Sequence, residues 1–244
     1  RMAGNGRPAR QATADGHIGR VHEAFDYSRL RGKFLVLDGG EGCGKSTQIG
    51  RLHDRLVGAG LPVLRLRDPG STDVGEKLRD VLLDPATGEI SMRCEMLVYM
   101  ASRAELVAKR IRPALDEGQV VLLDRFVSST LAYQAGFGEL TPADVKQVAA
   151  VATGGLEPDL TIILDVPTEI ALQRTTPQFV PLFDDPAVVD PTRDRIEQRP
   201  ETYHKIVRQH YLDQAGSRTK IVDAAADADA VENDIHALLA ERFA

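Results

Sequence analysis

The sequence has no tryptophan and only two cysteines, Cys43 and Cys94. Two thiols cannot build a disulfide framework or a four-ligand zinc site, so a stapled secreted domain and a zinc module are both excluded. A reducing, cytoplasmic setting is the expectation. No apolar run approaches the roughly 20 residues that span a bilayer, and no membrane partner is expected. No internal repeat or low-complexity tract is present. Nor is there an excess of positive charge: the net of −6 argues against a nucleic-acid partner. Beyond these absences, 43% hydrophobic and 27% charged residues describe an ordinary globular chain. Its 244 residues suffice to bury a core without staples.

The charge is unevenly spread. Residues 1–33 carry seven basic and three acidic side chains, are rich in Gly and Ala, and show no sustained apolar period. They are expected to be a disordered leader to a single domain over 34–244. Within that domain, short apolar runs end in polar residues and alternate with helical patterns. The runs at Phe34–Asp38, Val63–Arg67, Val120–Asp124, Leu160–Asp165 and Lys220–Val222 are apolar enough for strands covered on both faces. Helices are expected over Lys45–Val57, Val74–Leu83, Ser91–Glu117, from the Thr141-Pro142 cap to Ala152, over Arg193–Gln214 and over Ala228–Arg242. The alternation predicts an α/β fold: a doubly wound, five-stranded parallel sheet with helices on both faces.

Directly after the first strand comes Gly39-Gly40-Glu41-Gly42-Cys43-Gly44-Lys45-Ser46-Thr47, which fits G-x-x-x-x-G-K-[ST] between a strand and a helix. Triphosphate oxygens need several N–H donors converging on a small volume, and Gly39, Gly42 and Gly44 let the backbone wrap that closely. The helix that follows offers its free N–H groups, Thr47 included, and its positive dipole end. Lys45 would neutralise the β- and γ-oxygens, and Ser46 would reach Mg²⁺. Asp124 and Asp165 each end a strand, where ligands bind in such sheets, and Asp124 could hold a magnesium water. Cys43, close to a helix N-terminus and to Lys45, is expected to react faster than Cys94.

Six blocks, running from Phe34 to Arg242, resemble the thymidylate kinase family in order. They are FLVLDGGEGCGKSTQ; Arg67-Asp68-Pro69-Gly70-Ser71-Thr72 with Gly75-Glu76-Lys77-Leu78-Arg79; Leu97–Arg103; Asp124–Gln134; Pro158–Thr161 with Leu164–Pro167; and Asp194–Glu197. The resemblance implies a P-loop nucleoside-monophosphate kinase that uses ATP and Mg²⁺ to turn dTMP into dTDP. It implies that Arg79 and Arg125 grip the acceptor phosphate, that Tyr99 stacks on thymine, and that Arg103 bonds its O4 edge. Ser129, Thr130 and Gln134 match polar positions near the base, and Tyr133 the position that crowds the ribose 2′ side. Asp68 and Glu41 match acidic positions near the sugar and the phosphoryl donor. The family commonly forms homodimers. Two other readings stay open: a kinase for another nucleoside monophosphate, and a nucleotide-binding protein with little transfer activity.

The chain departs from the family pattern in two places. Gly40 stands where a larger apolar residue or proline is usual. The lid, about 175–193, is long and Pro-rich, with three aspartates and no cation between 175 and 192. The arginine such enzymes bring to the transferring phosphoryl group must then come from Arg174, Arg193 or Arg195, and Arg193 is the candidate favoured for its place directly after the insertion.

Overall fold

The structure is a computed structural model that describes residues 25–175 and 194–244. Residues 1–24 and most of the expected lid, Arg193 included, lie outside the described residues. The first described element is a 3-10 turn, Tyr27–Leu30. Leu30 is fully buried, and Phe25 and Tyr27 pack beside it on the core. The fold therefore takes in residues the leader was expected to hold, because three large apolar side chains close together form an anchor even without a helical period.

The chain then runs β1 (Phe34–Gly39), α1 (Lys45–Gly58), β2 (Val63–Arg67), α2 (Asp73–Leu83) and α3 (Met92–Leu106). It continues through a π-helical turn (Val107–Ile111), α4 (Arg112–Asp116), β3 (Val120–Asp124), α5 (Val127–Tyr133) and α6 (Pro142–Thr153). It ends with β4 (Leu160–Asp165), α7 (Thr168–Thr175), α8 (Glu201–Leu212), β5 (Thr219–Asp223) and α9 (Ala228–Phe243). The five strands among the described residues are all parallel, in the order β2-β3-β1-β4-β5. β1 sits at the centre and is buried along its whole length. Successive side chains point to opposite faces. Leu35 and Leu37 join α1 and α9 in one core cluster, while Phe34 and Val36 join the α3 side in another.

The expected helix over Ser91–Glu117 is present but not regular. Pro113 has no N–H and its ring would crowd the carbonyl four residues back. The preceding turn widens to accommodate it, and Arg112 N–H bonds the Val107 carbonyl, five residues back. The expected helix over Arg193–Gln214 is shortened. Asp194 accepts from the backbone N–H groups of Ile196 and Glu197 in a separate turn, and α8 starts only after Pro200. α5 and α7 carry no periodic signal long enough to read and are seen only here. Thr141 caps α6 with Asp144 returning the bond, as its sequence predicts.

This layout delivers chemistry to one edge. The carboxyl ends of β1, β2 and β3 place Gly39, Asp68 and Asp124–Arg125 side by side, with Asp68 N–H bonded to the Asp124 carbonyl at 2.9 Å.

Candidate active site

The loop after β1 must turn back over its own strand. Gly39 has φ +137°, and a Cβ there would stand 2.4 Å from the Leu164 carbonyl oxygen of β4, so only glycine fits. Gly44, at φ +91°, opens α1 in the left-handed region without a side-chain cap. The first N–H groups of α1 are left for a ligand. The Lys45 ammonium is 8% exposed and donates to the carbonyls of Gly39 (3.0 Å) and Gly40 (2.8 Å) and to Cys43 Sγ. A cation is thus folded over the cradle. Cys43 is only 2% exposed while Cys94 is exposed, so access works against the reactivity order expected from charge, since both set a thiol's rate.

A cleft of about 440 Å³ opens beside the cradle. Glu41, Gly42, Gly44, Lys45, Ser46, Thr47, Asp68, Arg79, Tyr99, Arg103, Asp124, Arg125, Ser129, Thr130, Tyr133 and Gln134 all line it. Gly39 lies beneath, holding the turn. Of the candidate site residues read from the sequence, only Arg193 lies outside the described residues.

Arg125 follows β3 with φ +66°, a strained conformation for a side chain of its size. Its Nη2 donates to Glu41 Oε1 at 2.5 Å, and its guanidinium lies over the Tyr133 ring. Tyr133 also donates to Glu41. Burial works against the Glu41 charge, but Arg125 and Lys45 outweigh it and hold the carboxyl below its ordinary range. Arg79, on α2, donates to the Pro69 carbonyl at 3.1 Å.

Arg103 is a strut as well as a wall. It is 1% exposed; Nε donates to Asp68 at 2.6 Å, Nη1 to Thr130 Oγ1 at 3.1 Å, and Nη2 to the Phe126 carbonyl at 3.0 Å. Most of its five donors are committed to protein. Burial pushes the Asp68 carboxyl up, with Arg103 opposing. Tyr99 lies one turn before Arg103 on α3, and burial, reinforced by the Glu95 charge, raises its phenol above the ordinary range. Gln134 gives its amide to Glu95 at 2.7 Å.

Among the described residues, two buried carboxylate oxygens have no hydrogen-bond partner: Asp124 Oδ1 and Asp68 Oδ1. Both residues line the cleft with the Ser46 hydroxyl. Among the described residues no group of three His, Cys, Asp or Glu side chains could cage a metal. The arrangement suits a cation that keeps its waters and takes phosphate oxygens.

Sequence reasoning missed the residues behind the cleft wall. Asp38 reads as the polar end of a strand, yet it is fully buried and accepts from four donors. Glu95, also fully buried, takes Arg195 at 2.6 Å and Arg199 at 2.7 Å. Arg195 is therefore engaged, and Arg174 donates to the carbonyls of Ala224 and Ala225. Asp165 does not line the cleft; Arg208 of α8 holds it in a two-bond pair. The only signal for such residues was a charged side chain inside an apolar pattern. Ser71 has φ +63°, and its hydroxyl bonds both the N–H and the carbonyl of Arg67, stabilising the turn that carries Asp68.

A family model described as thymidylate kinase matches residues 37–235. The thymidylate kinase of Deinococcus radiodurans is 42% identical over 215 residues, which is 87% of this chain and 98% of that one. That of Symbiobacterium thermophilum is 42% identical over 211 residues, 85% and 92% of the two chains. That of Pseudomonas putida is 39% identical over 213 residues, 86% and 96%.

Proposed function

Since the chain belongs to the thymidylate kinase family, we propose that it transfers the γ-phosphoryl group of ATP to dTMP, giving dTDP and ADP. The observation that carries this reading is a single cleft that joins the Lys45 cradle to Arg79, Arg125 and Tyr99. A donor site and an acceptor site must share one space for in-line transfer. The attacking phosphate oxygen is already a nucleophile, so no strong general base is required. Arg125 and Arg79 grip the acceptor phosphate through guanidinium forks that do not titrate. Glu41 stays ionised beside Arg125 and holds it from the cleft side. Tyr99 offers a ring face to the base. Asp68 sets Arg103, which presents its remaining N–H toward the base edge beside Thr130, Ser129 and Gln134. Tyr133 narrows the sugar site on the 2′ side.

The residues present fit magnesium: Ser46 and Asp124 would hold it, with the unpartnered Asp124 Oδ1 as the point of attachment. Bound there, it would neutralise charge on the β- and γ-oxygens of ATP. The expected homodimer has support in exposed apolar side chains on α3 and α6, Leu97 at 49% and Val151 at 85%. The cytoplasmic setting is supported by the two unpaired cysteines. No described helix is long and apolar enough to cross a membrane.

The test is an ADP-release assay with Mg-ATP and dTMP, dUMP, UMP or dCMP as acceptor. We expect dTMP to give the highest kcat/KM. Turnover highest with another acceptor would overturn the assignment of the base, and nucleotide binding without ADP release would overturn the transfer.

A further inference from the structure

We propose that Tyr211, on α8 and outside the substrate cleft, is a positioning residue for the phosphate clamp, acting through Arg125. The inference rests on the reading of Arg125 given above. Among the described residues, one hydrogen bond joins Arg125 to α8: its Nη1 donates to the Tyr211 hydroxyl at 3.2 Å. The same Nη1 reaches Ser129 Oγ at 3.2 Å and the Gly39 carbonyl at 3.1 Å. The other end of the guanidinium, Nη2, faces Glu41. Without acceptors behind Nη1, the Glu41 pair and the Tyr133 ring would set the side chain, and neither fixes the direction of Nη1.

The tyrosine is itself held. It is 2% exposed, and its hydroxyl donates to Asp38 Oδ1 at 2.6 Å and lies 2.8 Å from Ser129 Oγ. Asp38 is 0% exposed and lies 3.6 Å from Arg125 Nη1. Because the phenol proton points at a carboxylate, the phenol oxygen presents its lone pairs elsewhere, and Arg125 Nη1 takes one. Burial and the Asp38 charge push the phenol well above the ordinary tyrosine range, so it remains a neutral donor to Asp38 and acceptor from Arg125 throughout the working pH range. The hydroxyl therefore orients a guanidinium that touches substrate while not lining that cleft.

This separates the residue's role from simple packing. The Tyr211 ring fills the core beside Tyr133 and Val207. Tyr211→Phe keeps that ring and removes only the oxygen. Ser128 provides a control. It donates to the other oxygen of the same carboxylate, Asp38 Oδ2, at 2.5 Å.

The experiment is steady-state kinetics of ADP release for wild type, Tyr211→Phe, Ser128→Ala, Arg125→Ala and the Arg125→Ala/Tyr211→Phe double variant. Folding is monitored by thermal melting. Tyr211→Phe is expected to raise KM for dTMP about tenfold, the scale of one hydrogen bond to a charged group, with KM for ATP changed less than about twofold. Ser128→Ala is expected to leave KM for dTMP within about twofold. In the Arg125→Ala background, removing the Tyr211 hydroxyl is expected to change kcat/KM by less than about twofold, because the group it orients is gone. Equal losses in both backgrounds overturn the inference, as does a Tyr211→Phe enzyme with wild-type KM for dTMP. So does a Ser128→Ala enzyme as impaired as Tyr211→Phe. If Tyr211→Phe melts below the assay temperature, Tyr211→Leu is assayed in the cold beside it, and a dTMP KM no worse than twofold above wild type again overturns the inference. An Arg125→Ala enzyme with unchanged KM for dTMP removes the clamp reading itself.

Discussion

Arg195 reaches the buried carboxylate of Glu95 at 2.6 Å, with its Nε donating to the Leu82 carbonyl at 2.8 Å. An arginine anchored at both ends is a structural member rather than a mobile cation. Arg195→Ala leaves Glu95 with Arg199 and Gln134 only. We expect a loss of about 3 kcal/mol in urea unfolding, the scale for breaking a buried ion pair. Folded Arg195→Ala enzyme should retain kcat within about tenfold. A hundredfold fall in kcat with unchanged stability would make Arg195 the cation of the transition state.

Lys45→Ala removes the ammonium from the cradle. Contacts to the transferring phosphates strengthen as charge develops, so the loss should fall mainly on kcat. We expect a decrease of roughly 10²-fold or more in ADP release, equivalent to a few kcal/mol of barrier. Near wild-type turnover would refute the role of the cradle.

Arg103→Ala has two effects in one substitution. It leaves Asp68 buried without a partner on either oxygen, which should destabilise the fold by about 3–5 kcal/mol. In the proposed reading it also removes a donor next to the base, so the dTMP over dCMP preference of the folded fraction should fall. Arg103→Lys keeps the charge but cannot reach Asp68, Thr130 and Phe126 together, and should sit between. Unfolding midpoints and the two kcat/KM values decide. Unchanged midpoints would show that Arg103 is not the strut its contacts describe.

The acid side of the pH profile should belong to the acceptor and not to Glu41. Burial opposes the Glu41 charge, yet Arg125 and Lys45 keep the carboxyl depressed, so it remains ionised until pH falls below the ordinary carboxylate value. A phosphate monoester gains its proton near pH 6, at about the pKa of a phosphorylated side chain. kcat/KM for dTMP should therefore decline below about pH 6. Glu41→Gln should lower the plateau without moving that limb. A limb displaced by the substitution would assign it to Glu41.

The two glycines that open the loop should behave in opposite ways. A Cβ on Gly40 meets nothing within 4 Å, so Gly40→Ala should stabilise by about 0.5 kcal/mol through the unfolded chain. A Cβ on Gly39 collides with β4, and Gly39→Ala should destabilise by about 2 kcal/mol or more and impair ATP use. Thermal melts of the two proteins test the pair. Equal tolerance at both positions would contradict the strand packing.

The sequence by itself determined whatever depends on contiguous residues. The cradle from Gly39 to Thr47 is one turn of chain, so its glycines, lysine and hydroxyls read directly as a phosphate site. The strands read as such because a sheet covered on both faces requires unbroken apolar runs. Tyr99 and Arg103 share a helix face by spacing alone. The tertiary structure decided what those residues are joined to. Asp38 gains its role from Tyr211, 173 positions away, and Glu95 from Arg195 and Arg199, 100 and 104 positions away. No period or motif encodes such pairs. A buried carboxylate must find donors wherever the packed chain brings them, because an unpaired charge is too costly inside. The same demand makes Arg103, expected to read the base edge, a strut, and it separates Asp165, bound by Arg208, from Asp124, a residue of the cleft lining.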